Sequence, residues 1–307
     1  MTAHAYGDPH LLASAAVVVG VDGSPGSETA LRWAAAYAAG RGRGLHIVHG
    51  MDLVGINRVL GVYEVVVPRL VESARAHGKA VVLHAERLVR ELEPGLRVTV
   101  HLSADDATRL LIERSATAYA VVLGATGENG TVSHLGSTLL AVTAHARCPV
   151  LVVRPDPDAD NTVRETGPVV VGVDGSPVSE AAIGAAFVEA AERRTTLVAV
   201  HVWSDWVFGK FAGAKPLPAL GDLDNVEEAI LAERLAGWRE KYPEVEVTRR
   251  IYFSDPATHL RTWSALAQLV VVGNRGRGGL MGMLLGSTTH SLVQHAHCPV
   301  MVVHPDR

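Results

Sequence analysis

Short apolar runs rich in valine alternate along the chain with longer stretches in which apolar residues recur at helical spacing. In the second half the runs are VVVGV (169–173), TLVAVHVW (196–203), VEVTRRIYF (245–253), LVVVG (269–273) and VMVV (300–303). Between them lie helix-like stretches: one from Ser179, one through DNVEEAILAERLAGWREKY, one beginning SDPATHL and one opening at Gly286. This is a βαβαβαβαβ pattern. Strands joined by helical crossovers run parallel, and a parallel sheet needs helices on both faces, which suits valine runs without polar alternation.

The pattern occurs twice. VVVGVDGSPGSETA from Val17 returns as VVVGVDGSPVSEAA from Val169, an offset that also carries His49 onto His201. HARCPVLVV returns as HAHCPVMVV, so Cys148 and Cys298 occupy equivalent places before a strand and read as small buried hydrophobes. Between the copies, RPDPDADNTVRETGP has no apolar periodicity and reads as an exposed linker. The expected organisation is a first domain over 1–154, a linker over 155–167 and a second domain over 168–307.

With 307 residues and near-balanced charge (28 Lys plus Arg against 32 Asp plus Glu), the chain can bury two cores and carries no basic footprint for nucleic acid or an acidic membrane surface. LLASAAVVVGV lacks a basic flank and is too short to span a bilayer, so neither a signal peptide nor a membrane anchor is expected and the cytoplasm is the default setting. Two cysteines give no disulfide framework.

The chemistry concentrates at strand ends, where open α/β sheets bind ligands. The first strand of the second copy ends in Asp174-Gly175-Ser176, and the fourth ends in VVVGNRGRGGLMGMLLGST, with glycines at 273, 276, 278, 279 and 282. Gly273 and Gly276 read as spacing residues that let backbone approach a ribose or phosphate and adopt unusual dihedrals. Gly286, Ser287 and Thr288 open a helix whose first N–H groups lack internal partners, which makes a phosphate cradle. Arg275 and Arg277 add cations, and Asp174 offers an acceptor for a ribose hydroxyl or an adenine amino group while also forming its turn. Ser27 and Ser179 read as helix N-caps, and Asp105, Asp106 and Asp255 as starts of the third helices. His290, His295, His297 and Cys298 lack paired metal-ligand spacing, so no metal site is expected. The aromatic stretch WSDWVFGKFAGAKPLPALGD fits a lid over adenine or a packing surface equally well.

These residues resemble the universal stress protein family in tandem form. Gly273, Gly276, Gly286, Ser287 and Thr288 match the family's ATP-binding motif of Gly, two residues, Gly, nine residues, Gly and Ser or Thr. The resemblance implies two Rossmann-like domains of the adenine nucleotide alpha hydrolase type, each a five-stranded parallel sheet of order 3-2-1-4-5 with helices on both faces. It implies ATP as the ligand, with or without Mg2+, a homodimer, regulatory protein partners of unknown identity, and a non-catalytic role in stress or dormancy without catalytic residues. Val202 then matches the adenine-contacting position, with Gly172 and Val272 nearby. The corresponding first-copy set is Gly20, Asp22, Gly50, Leu123, Gly124, Gly127, Gly136, Ser137 and Thr138.

That first set departs from the pattern. Only eight residues separate Gly127 from Gly136, Thr126 and Glu128 stand where Arg275 and Arg277 do, and Gly50 replaces Val202, so the first site should bind ATP more weakly. Two other readings compete with the regulator. One is a weak ATP hydrolase or adenylyl-transfer enzyme, against which stands the lack of a GxxxxGK[ST] loop. The other is a chaperone-like scaffold for which nucleotide is incidental.

Overall fold

The structure, a computed structural model, describes residues 14–53, 67–126, 136–156, 158–160, 162–203, 220–276 and 284–305. Two compact units divide the chain, Met1–Arg154 and Pro155–Arg307. In the first, β1 (Val17–Gly20), α1 (Pro25–Gly40), β2 (Leu45–Gly50), α2 (Val67–Leu92), β3 (Val98–Ser103), α3 (Ala107–Arg114), β4 (Ala120–Gly124), α4 (Ser137–His145) and β5 (Val150–Val153) follow one another. The second repeats the series as β6 (Val169–Val173), α5 (Pro177–Glu192), β7 (Leu197–Trp203), α6 (Leu220–Lys241), β8 (Val247–Phe253), α7 (Pro256–Ser264), β9 (Leu269–Gly273), α8 (Ser287–His295) and β10 (Val300–Val303).

Strand order is β3-β2-β1-β4-β5 in one unit and β8-β7-β6-β9-β10 in the other, and every pairing within each unit is parallel. The expected order 3-2-1-4-5 is therefore present twice. The first and fourth strands of each unit are neighbours, with Val17 opposite Ala120 and Val169 opposite Leu269. The chain reverses its winding between them, which opens a crevice at their carboxyl ends. Helices pack in pairs, α1 with α2 and α3 with α4, then α5 with α6 and α7 with α8.

Burial explains why the valine runs read as they do. Val17, Val19, Val121, Val122, Val150, Val169, Val170, Val171, Val270 and Val271 have no exposed surface, as central parallel strands covered on both faces require. Each such side chain contributes about 1.5–3 kcal/mol relative to leaving it in water. The third strands pair on one side only, and Val100 and Phe253 on them stay partly open.

Helices α1 and α5 begin earlier than the sequence suggests. Their caps are Ser24 and Ser176, whose hydroxyls accept from the amides of Ser27 (3.1 Å) and Ser179 (3.2 Å), followed in each case by a proline that needs no N–H partner. Ser27 and Ser179 are therefore the capped residues, not the caps. Asp106 and Asp255 cap α3 and α7 as expected.

The stretch between the copies is tied down at one point. Asp156 is fully buried, pairs with Arg164, accepts from His297 Nδ1 at 3.1 Å, and exchanges backbone contact with Thr162. Burial pushes its carboxyl upward, but the hydrogen bonds from Arg164, Asp158 N–H and His297 together hold it below the usual carboxylate range.

Candidate nucleotide site

Each unit builds the end of its first strand in the same way. In unit two the amide of Ser176 donates to Asp174 Oδ1 at 2.9 Å, and the amide of Asp174 donates to Ser179 Oγ at 3.1 Å. Gly175 takes the left-handed conformation (φ 75°) that lets the turn close. Unit one matches it, with Ser24 N–H on Asp22 Oδ1 at 3.0 Å and Gly23 at φ 86°. One carboxylate oxygen thus forms the turn.

The other oxygen explains Gly276. A β-carbon there would lie 2.5 Å from Asp174 Oδ2, so the residue after Arg275 is directly beside the carboxylate. Gly273 has a different reason: its β-carbon would meet Val178 Cγ1 of α5 at 2.6 Å. Gly172 likewise makes room for Leu260 of α7 (2.9 Å) and Val272 (3.2 Å), and Gly20 for Leu123 (2.8 Å). These glycines serve packing of the protein on itself. Among the described glycines, positive φ occurs at 23, 42, 167 and 175, so Gly273, Gly276 and Gly286 do not have the unusual dihedrals the sequence reading anticipated.

Gly286 differs from the others. The nearest described atom to its β-carbon position is Arg275 Cα at 3.4 Å, then Gly276 N at 3.6 Å, both ordinary contacts. Its own amide donates to the carbonyl of Asn274 at 2.9 Å, which folds the loop back on itself, and Thr289 Oγ1 donates to Gly273 O at 2.7 Å. Among the described residues no side chain caps α8, which places Ser287, exposed, and Thr288, half-buried, at an N-terminus whose first N–H groups lack partners within the helix. Arg275 is exposed beside it. Asp174, Gly276 and the start of α8 are thereby brought to one place. Arg277 lies outside the described residues.

In unit one, among the described residues, Gly136 precedes α4 without a side-chain cap and has no atom within 4 Å of its β-carbon position. Ser137 is exposed, and Thr138 meets Thr108 Oγ1 at 3.3 Å. Gly127, Glu128 and His134 lie outside the described residues. Gly124 sits against α1, where a β-carbon would be 2.4 Å from the carbonyl of Gly26, and one on Gly26 would be 2.0 Å from the carbonyl of Thr126. Val178 occupies the position of Gly26 in unit two.

The second strands differ too. Val202, one residue before the end of its strand, is half-buried. At Gly50 a β-carbon would lie 2.6 Å from the amide of Ala107 and 2.9 Å from the carbonyl of Asp105, so the start of α3 fills the space. Leu123 and Val272 are buried under the crevice floor.

The sequence reading missed a set of polar contacts behind Asp174. Val173, Asp174, His201, Glu227, Leu231 and Arg234 line a cavity of about 150 Å³. His201 Nδ1 contacts the carbonyl of Val173 at 2.7 Å, its Nε2 contacts Glu227 Oε2 at 3.0 Å, and Arg234 pairs with Glu180. The recurrence of His49 and His201 was the available signal. The candidate metal residues do not converge: Cys298 is buried with its thiol pushed up to about 12 by desolvation, His290 and His295 are exposed, and His297 turns to Asp156. Asp156, Asp158 and His297 do cluster, but Arg164 already places a guanidinium on Asp156. Among the described residues, no helix is long and apolar enough to cross a membrane.

The profile of the universal stress protein family matches residues 15–154 and again 165–304. The chain belongs to the universal stress protein family. A universal stress protein of Mycolicibacterium smegmatis is 39% identical over 295 residues, covering 94% of this chain and 97% of that protein. One from Mycobacterium tuberculosis H37Rv is also 39% identical, over 300 residues, covering 93% and 96%. Among solved structures, a universal stress protein from Archaeoglobus fulgidus superposes with a TM-score of 0.67 at 19% identity, covering 94% of this chain and 96% of that one. Protein PA1789 from Pseudomonas aeruginosa gives 0.64 at 19%, covering 97% and 94%. Each of these alignments spans both units of this chain.

Proposed function

We propose that this universal stress protein binds ATP at the carboxyl end of the sheet in unit two, and more weakly in unit one, and that occupancy regulates partners without chemistry on the nucleotide. One observation carries the reading. Gly286 is the glycine of the motif for which the described protein supplies no steric reason, and it opens a helix that lacks a side-chain cap beside Gly276 and Asp174. A triphosphate supplies what that helix start lacks, and Asp174, which would repel phosphate, suits a ribose hydroxyl or amino group.

Affinity must be shared among these groups. A helix start contributes about 0.3–1 kcal/mol, occasionally about 2, and a hydrogen bond to a charged group about 1.5–3, whereas micromolar binding needs about 8. Regulation follows only if ATP binds two states of the protein differently, which is what partners would read. Mass spectrometry of nucleotide released from purified protein, followed by calorimetric titration with ATP, tests the reading. Release of adenine nucleotide and a saturable heat support it; absence of both overturns it.

A further inference from the structure

His201 has an acceptor at each ring nitrogen. The carbonyl of Val173 can only accept, so Nδ1 donates to it across 2.7 Å. Glu227 Oε2 stands 3.0 Å from Nε2, and two lone pairs cannot face each other at that distance. A proton therefore lies between Nε2 and Oε2, in a contact whose imidazole is buried and whose carboxylate is mostly covered. The groups facing the ring among the described residues are Glu227 and Arg234 of α6, Glu180 of α5 through its pair with Arg234, and Asp174 at the end of β6. Farther along, Arg249 of β8 pairs with Glu228 at 3.3 Å.

Among the described residues, unit one keeps the first half of this arrangement and lacks the second. His49 Nδ1 contacts the carbonyl of Val21 at 2.7 Å, but the residue seven positions before the partner of Glu28 on α2 is His77, its ring 6.5 Å from that of His49. In unit two the same position before Arg234 is Glu227.

We propose that His201 is a positioning residue: with Glu227 it clasps α6 to the last carbonyl of β6 and sets Asp174 beside Gly276. The inference rests on the ATP-binding reading of that site. Removing the carboxylate leaves a buried ring nitrogen without its bond, so α6 loosens from the strand end. A glutamine at 227 keeps the bond, because its amide can donate to the ring nitrogen. Unit one has no such clasp among its described residues.

Hydrogen exchange on the full chain, with and without ATP, tests this unit by unit. For Glu227→Ala at neutral pH, faster exchange at 173–175 and at the start of α6 is expected, with the ATP concentration that half-protects unit two raised about tenfold, the scale of one hydrogen bond to a charged group. Glu227→Gln should stay close to wild type, because its amide can donate to the ring nitrogen. Unit one should respond to neither substitution. Unchanged exchange and affinity in Glu227→Ala, or a Glu227→Gln variant as weak and as fast-exchanging as Glu227→Ala, overturns the proposal. If wild-type protein binds no ATP, the functional reading fails, and the exchange rates of the ligand-free Glu227→Ala variant alone decide the clasp: faster exchange upholds it and unchanged exchange removes it.

Discussion

Strand for strand the two units are built alike, yet the space around their strand ends is filled in opposite ways. Both form the Asp-Gly-Ser turn with the same hydrogen bonds, and both place a histidine Nδ1 on the last carbonyl before the aspartate. These contacts involve backbone, which a duplicated chain keeps as long as the strand and turn persist. Side chains facing the crevice diverge. Unit two has Val202, Val178 and Glu227 where unit one has Gly50, Gly26 and His77, and at Gly50 and Gly26 backbone from α3 and from Thr126 has moved into the vacated room. The comparison teaches that Gly50 and Gly26 of unit one mark closure by the protein's own backbone, whereas the helix starts at Gly136 and Gly286 meet no described atom closer than an ordinary contact in either unit.

The sharpest way to break this comparison is to fill both helix starts. Gly286→Leu should weaken ATP binding at least about a hundredfold, near 2.7 kcal/mol, while Gly136→Leu changes total binding far less. Calorimetry on the two variants checks it, and equal losses would remove the proposed asymmetry. Gly26→Val, which copies unit two into unit one, forces a side chain onto the carbonyl of Thr126 and should destabilise unit one by about 2–3 kcal/mol, measured by denaturant unfolding. The reverse change, Val178→Gly, should instead create a small cavity beside Gly273.

A smaller effect is expected at Gly184, whose β-carbon would meet Trp238 at 2.6 Å, in a stack that also includes fully buried Phe187. Gly184→Val should cost unit two about 1–2 kcal/mol. Its counterpart in unit one, Arg32, makes an open pair with Glu28, and Arg32→Val should lie within about 0.5 kcal/mol of wild type. Thermal melts would read both.

The smallest difference concerns acid. Because the Asp156 carboxyl is held below its usual value, its contribution to stability is full above the ordinary carboxylate value of about 3.9 and is lost as pH falls through the lowered one. Unit one has no buried counterpart among the described residues. Unfolding of unit two should therefore steepen below about pH 4, and Asp156→Asn should flatten that dependence, as denaturant unfolding across pH would show.

Much of the molecule was legible from one sequence because its signals are local. The five strands of unit two fall within two residues of the apolar runs, since a strand buried on both faces must be apolar throughout. The turn at Asp174 and the helix opening after Gly286 were legible through spacing. The cap positions were misread by three residues because Ser24 and Ser27, like Ser176 and Ser179, both precede the helical pattern, and only the hydrogen bonds tell which side chain caps which amide. The buried Asp156 was hidden in a polar, proline-rich stretch whose partners, Arg164 and His297, lie 8 and 141 residues away.

The sequence by itself determined the repeat, the element order and the chemical character of each strand end, because periodicity and turn chemistry act over a few residues. Only the tertiary structure decided why each glycine is a glycine. Gly273 yields to Val178, Gly276 to Asp174 and Gly50 to Ala107, each across a distance that no local pattern encodes. It also decided that Glu227 meets His201, since a helix and a strand 26 residues apart come together through packing of α6 on the sheet, and not through any preference of either residue for its neighbours in the chain.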